Sequence, residues 1–250
     1  SGMFGIGGAV ISNPSLRALG AGPITTIGST LPSIIPSAIS GSLRYRRDGL
    51  LRFNVIRWVG PTGALFSIGG ALLSDQVPGD GHLLTMSVAL LMGYTAIRIA
   101  LRPVAAPHAA ETDAEMAVDA SGTVHDDVWR LLVIGAVAGL FSGLLGIGGG
   151  LLMVPLFSGW LRIPLKETIG TSLACVALIA IPGMITHALQ GHIDWSYALP
   201  LAIGVIPGAW LGANVTIGSS ERRVQVMVAT ALGILGAVYA AEELYSLLNS

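Results

Sequence analysis

The sequence predicts an all-α polytopic membrane protein made of two inverted repeats, each a glycine-broken, re-entrant hairpin followed by three transmembrane helices. Three observations predict this. The chain has too few charges to make a water-facing surface. One string of motifs occurs twice in the same order. And the basic residues sort to one side of a membrane only if the two copies point in opposite directions.

Of the 250 residues, 52% are hydrophobic and 11% are charged, against about 25% charged in an ordinary soluble domain. Runs such as Leu83 to Ala100, Leu131 to Leu161 and Val224 to Ala241 are apolar all the way round, without the polar face of a surface helix. Glycine supplies 34 residues and proline 13; both are commoner in membrane helices, where small residues let backbones approach and breaks expose polar backbone. A net charge of −1 offers no basic stripe for nucleic acid. The sole cysteine, Cys175, lies in an apolar run, so neither an internal disulfide nor a cysteine metal cage is expected.

The repeat begins at the N-terminus. Ser1 to Ala9 reads SGMFGIGGA and Ser142 to Gly150 reads SGLLGIGGG, with Pro14 and Pro155 at the same distance beyond. After one inserted residue, Thr26-Ile27-Gly28-Ser29-Thr30 falls on Thr168-Ile169-Gly170-Thr171-Ser172, then Gly41 on Gly183, Tyr45 on His187 and Gly49 on Gly191. The expected organisation is a first membrane repeat over 1–102, an acidic cytoplasmic linker over 103–127 and a second membrane repeat over 128–250. The linker carries Glu111, Asp113, Glu115, Asp119, Asp126 and Asp127 and no lysine or arginine beyond its edge. Trp129 to Phe141 has no counterpart ahead of the first copy, from which a missing N-terminal segment is expected.

Each copy offers four apolar stretches: Ser1 to Leu19, Ile24 to Leu43, Val55 to Leu73 and Leu83 to Leu101, then Val128 to Leu161, Thr168 to Ala188, Trp195 to Thr216 and Val224 to Leu244. With eight full crossings the basic residues divide 8 to 5 between the two sides. If the first stretch of each copy instead enters, breaks at GIGG and leaves by the same side, they divide 12 to 1, with only Arg17 facing out. That arrangement is typical of secondary transporters. Eight crossings remain the alternative.

Irregular backbone at membrane depth must be buried by protein or line a wet cavity. Gly5, Gly7 and Gly8, and Gly146, Gly148, Gly149 and Gly150, mark where each break is expected. A helix that begins there presents free N–H groups and the positive end of its dipole, which together attract an anion; tight helix packing is the plainer reading of the same glycines. Thr26, Ser29 and Thr30, with Thr168, Thr171 and Ser172, add hydroxyl donors, which alternatively bond their own helix. The expected substrate-binding set is Gly7, Gly8, Thr26, Ser29, Thr30, Gly148, Gly149, Gly150, Thr171 and Ser172. His187 is a candidate proton carrier or an interfacial histidine, and His192 and Asp194 read as turn residues. A metal site from these three has no supporting cluster. No GxSxG, HExxH or P-loop occurs, so no enzyme, cofactor or metal is expected.

The second half resembles the TauE/SafE family of sulfite and organosulfonate exporters. The resemblance rests on GIGGG at Gly146 to Gly150 followed by Pro155, on GTSL at Gly170 to Leu173, on His187 with Gly191-His192-Ile193-Asp194-Trp195, and on Gly208-Ala209-Trp210-Leu211-Gly212-Ala213. The first half departs from it with GIGGA, with Ser29-Thr30, and with an arginine-rich turn from Arg44 to Arg57. The resemblance implies a multi-pass protein of a bacterial inner membrane that transports a small sulfur-containing anion, outward and coupled to protons. The partners so implied are that inorganic or organosulfur anion and the lipid bilayer, with a homodimer as one option and no nucleic acid. A passive anion channel and a membrane scaffold or sensor are the alternatives.

Overall fold

The computed structural model describes residues 2–3, 5, 7–74, 76, 82–101 and 124–249, and among these residues it is all-helical. The helices in chain order are α1 (Ala9–Ala18), α2 (Pro23–Arg47), α3 (Phe53–Ser74), α4 (His82–Ala100), α5 (Val124–Leu145), α6 (Gly150–Gly159), α7 (Leu165–Leu189), α8 (Trp195–Gly218) and α9 (Glu221–Asn249). Each expected apolar stretch maps onto one helix, apart from the two glycine-bearing stretches, which break. Most of the acidic segment expected as a linker lies outside the described residues; from Val124 on, the chain is already in α5.

The second GIGG run separates α5 from α6, and the first leads directly into α1. Gly5, Gly7 and Gly8 have φ of 72°, 73° and 95°, and Gly146, Gly148 and Gly149 have φ of 65°, 72° and 72°. Successive left-handed residues end a right-handed helix, and only glycine adopts them without a steric penalty. Gly8 is the N-cap of α1 and Gly149 that of α6, and neither N-terminus has a side-chain cap. Each of these helices has 10 residues, about 15 Å at 1.5 Å per residue, half the thickness of a bilayer core.

Among the described residues, four segments are long and apolar enough to cross a membrane: Val128–Leu145, Leu165–Leu189, Trp195–Gly218 and Glu221–Ala241; Met86–Ala100 and Gly150–Gly159 are shorter apolar helices. The exterior is lined by side chains such as Leu65, Leu90, Leu199, Ile203 and Ile234, all more than half exposed. Around a chain this poor in charge, that surface suits lipid rather than water. Two-thirds of the α7 span (67%) is buried against 17% of the α8 span, so α7 is central and α8 peripheral.

Helix neighbours follow the repeat. α2 packs on α8 and its counterpart α7 on α3; α1 packs on α2 and α6 on α7; α2 meets α7, and α4 meets α9. The closest seam joins α3 and α5. Gly135, Gly139 and Gly143 recur every fourth residue on α5, and a Cβ on any of them would collide with the α3 backbone at Val59, Gly63 or Ser67. Small residues at this spacing let membrane helices touch backbone to backbone. Prolines lie inside α2 (Pro32, Pro36), α3 (Pro61), α6 (Pro155), α7 (Pro182) and α8 (Pro200, Pro207); each removes one helix hydrogen bond, which such bundles tolerate because neighbouring groups compensate.

Candidate anion site at the paired glycine breaks

The two breaks meet at the centre of the molecule. A Cβ on Gly7 would stand 2.6 Å from Ile34 Cγ2 and 3.0 Å from Val176 Cγ1; a Cβ on Gly148 would stand 2.9 Å from Val176 Cγ1 and 3.1 Å from Ile34 Cγ2. Ile34 and Val176 occupy equivalent positions of α2 and α7, and both are fully buried. Each break therefore closes over the same apolar pair, one side chain from each copy.

Hydroxyls brace the breaks reciprocally. Thr30 Oγ1 donates to Gly146 O at 3.3 Å, and Ser172 Oγ donates to Gly5 O at 3.0 Å. The same hydroxyls also approach Ile27 O at 3.0 Å and Ile169 O at 2.9 Å in their own helices. One residue earlier, Ser29 Oγ accepts from the Asp194 amide at 2.8 Å and Thr171 Oγ1 accepts from the Arg52 amide at 3.1 Å. At these two positions each α2 contact is matched by one of the equivalent α7 residue to the other copy. Thr26 Oγ1 donates locally, to Gly22 O at 2.8 Å.

Sequence reasoning thus named groups that the fold does bring together: Gly7, Gly148, Thr30 and Ser172 lie around one centre, Gly8 and Gly149 precede the two short helices, and Gly150 opens α6. Ser29 and Thr171 face the loops before α8 and α3 instead. Thr30 and Ser172 bond their own helix, and each hydroxyl also lies within reach of the other copy's break carbonyl.

His187 is fully buried near the end of α7. Its Nε2 lies 2.8 Å from Gly143 O and its Nδ1 lies 3.1 Å from His192 Nδ1. A carbonyl only accepts, so Nε2 carries the hydrogen. In the neutral ring Nδ1 is then bare and accepts from His192 Nδ1–H. The repeat partner Tyr45 makes the matching contact, donating from its hydroxyl to Gly2 O at 3.1 Å. Asp194 is the N-cap of α8 and accepts from the Ser196 amide at 2.9 Å; the Ser196 hydroxyl and amide hold its carboxyl below the usual carboxylate value. Among the described residues no group of three or more His, Cys, Asp or Glu could hold a metal.

The sequence reading overlooked a recess beside the second break. It is lined by Asn13 and Arg17 of α1, Thr26 and Ile27 of α2, Leu145 at the end of α5 and Tyr239 of α9, among others, with about 270 Å³ of space counted out to its open mouth. Asn13 is 3% exposed, and its Oδ1 has no hydrogen-bond partner among the described residues. The available signal was asymmetry within the repeat: Asn13 and Arg17 stand where the second copy has Val154 and Ser158.

The family model described as Sulfite exporter TauE/SafE matches residues 1–239. Among similar proteins, the probable membrane transporter protein YunE of Bacillus subtilis (strain 168) is 27% identical over 98% of this chain and 93% of its own length. The probable membrane transporter protein YdhB of the same organism is 26% identical over 86% of this chain and 84% of its own length. The probable membrane transporter protein MamO of Paramagnetospirillum magneticum (strain ATCC 700264 / AMB-1) is 32% identical over 81% of this chain and 34% of its own length. No solved structure matches.

Proposed function

The chain belongs to the sulfite exporter TauE/SafE family of multi-pass membrane transporters, and from that premise we propose that it is a secondary transporter of a small sulfur-containing oxyanion such as sulfite or an organosulfonate. The observation that carries the proposal is the reciprocal bracing of two glycine breaks, Gly5 by Ser172 and Gly146 by Thr30. The breaks aim the uncapped starts of α1 and α6 into the protein interior, where bare amides and a helix dipole favour negative charge. The hydroxyls that now hold break carbonyls are the donors an oxyanion would engage once the copies part.

Alternating access follows from this arrangement. The contacts between copies at the breaks are two weak hydroxyl braces over one apolar pair, so rocking one repeat against the other exchanges a few bonds rather than a buried ion pair. α1 and α6 are too short to cross a bilayer, which supports three crossings and one re-entrant hairpin in each copy, in opposite orientation, with 1–102 and 128–250 as the membrane repeats and 103–127 as a cytoplasmic linker.

His187 serves as the proton carrier. A proton taken up by half-buried His192 reaches His187 through the Nδ1 to Nδ1 contact and arrives beside Gly143, three residues before the second break. The test is flux in proteoliposomes. Sulfite uptake that saturates and follows an imposed pH gradient is expected, whereas ohmic anion currents in a planar bilayer overturn the transporter reading in favour of a channel.

A further inference from the structure

Ser67 of α3 and Ser142 of α5 are wholly buried, and neither hydroxyl has a hydrogen-bond partner among the described residues. Buried serines and threonines in helices ordinarily bond a carbonyl three or four residues back, as Ser33, Ser74, Ser158 and Thr186 do here. For Ser67 and Ser142 the fourth carbonyl back is closely covered: a Cβ on Gly139 would collide with Gly63 O, and one on Gly149 with Ala138 O. The Gly143 carbonyl, next to Ser142, is already bonded to His187 Nε2. Packing does not require the serine on α3. The same seam recurs in the first copy, where a Cβ on Gly2 would collide with Ala209 O just as one on Gly143 would with Ser67 O, and alanine serves there in place of serine. Gly183 of α7 leaves the room that Ser67 Oγ takes, 2.5 Å from where a Cβ would stand. A buried hydroxyl left unpaired by its own protein calls for a partner from outside.

We propose that Ser67 and Ser142 are donors to the transported oxyanion: each hydroxyl gives its hydrogen to an anion oxygen beside the start of α6, and the anion supplies the acceptor that the protein withholds. The inference rests on the anion-transport reading above and deepens it, by placing the specific grip on the second copy. Both serines adjoin the second break. Ser142 lies in the last turn of α5, its carbonyl accepts from the Gly146 amide at 2.9 Å, and one turn back Ala138 O meets Gly149, the N-cap of α6. Ser67 packs against Gly143, three residues before the break. The start of α6 has no side-chain cap, so its amides attract negative charge of any kind, whereas the two hydroxyls favour an anion with several accepting oxygens. A hard cation is a poorer match. Calcium or magnesium takes six or more oxygen ligands, and no carboxylate occurs in α3 or in residues 128–145 of α5.

The test is a binding titration of the purified full chain with sulfite and ethanesulfonate, and with thiocyanate as a sulfur-containing anion that has no oxygen. Ser67→Ala, which copies Ala209, and Ser142→Ala should each weaken both oxyanions by about tenfold or more, the loss of one hydrogen bond to a charged group, while thiocyanate binding stays near wild type. Ser74→Ala, on the same helix as Ser67 but bonded to Ala71 O, should bind the oxyanions as wild type does. Ligand-free melting separates this from a structural role. With no partner to lose, both alanine variants should melt at or above wild type; a variant that melts below it shows a hydroxyl bonded within the protein and overturns that serine's place in the site. Oxyanion affinities unchanged in both variants overturn the pair and leave the transporter reading standing, and an effect at one serine alone overturns the role of the other. Thiocyanate binding that falls in step with the oxyanions overturns the hydroxyl grip as the source of selectivity. Wild type that binds neither oxyanion overturns the anion reading itself, and the pair with it.

Discussion

Ser172 donates its hydroxyl to the carbonyl of Gly5, 167 residues earlier and 3.0 Å away, and Thr30 does the same for Gly146 from the other copy. Gly5 and Gly146 are buried, and a buried carbonyl without a helical partner costs free energy unless a side chain supplies a donor. Ser172→Ala leaves the Gly5 carbonyl short of a partner and should cost about 1–2 kcal/mol of stability. Thermal melting of the detergent-solubilised protein measures this. A variant that melts with wild type would mean that the brace contributes nothing.

The cross-copy ion pair gives a useful contrast. Arg52 Nε lies 2.6 Å from Glu167 Oε2, but the two side chains are 35% and 27% exposed. Solvent screening reduces such a pair to about 0.2–1 kcal/mol. Glu167→Gln should therefore lower the melting temperature less than Ser172→Ala, although it removes a full charge. The reverse order in the same melting assay would show that the ion pair, not the hydroxyl, holds the copies together.

Gly148 cannot carry a side chain without moving the centre. Its φ is +72°, and a Cβ would stand 2.9 Å from Val176. Left-handed backbone at about 1–2 kcal/mol and overpacking at about 1–3 kcal/mol together cost roughly 2–5 kcal/mol. Gly148→Leu should insert into membranes yet carry no flux, whereas Gly204→Leu, where a Cβ meets nothing within 4 Å, should transport normally. Wild-type flux from Gly148→Leu would place the working centre elsewhere.

The histidine pair separates coupling from transport. His187→Phe removes both ring contacts, to Gly143 O and to His192, and should abolish uptake driven by a pH gradient while leaving anion exchange between equal pools. His192→Gln, further out along the relay, should slow gradient-driven uptake several-fold. Gradient-driven uptake that persists in His187→Phe would remove His187 from the proton path.

Asp194 supplies a pH-dependent cap outside the spans. Its carboxyl is held below the usual value by Ser196, so the stabilisation is fully present above the ordinary carboxylate pKa of about 3.9 and is lost as pH falls through the lower folded value. Asp194→Ala should accordingly melt below wild type at neutral pH, and the gap should close in acid below that folded value. A gap unchanged across the acid range would mean that the carboxylate charge has no part in capping α8.

The membrane class, the duplication and the two breaks were all legible in the sequence because each is local or compositional. A charge content of 11% cannot cover a soluble surface, and a run such as GIGG cannot continue a helix once its glycines turn left-handed. Partnership was not legible, because it depends on which faces of distant helices meet. Sequence offsets paired Thr30 with Ser172 and Tyr45 with His187, but only the packing of α2 and α7 around Ile34 and Val176 turned equivalent positions into reciprocal contacts. The same packing joined His187 to His192, which had read as a turn residue, and drew Asn13 and Arg17 to the wall of a recess that α5 and α9 complete. Composition and periodicity act along the chain, whereas hydrogen-bond satisfaction of buried polar groups is decided in space.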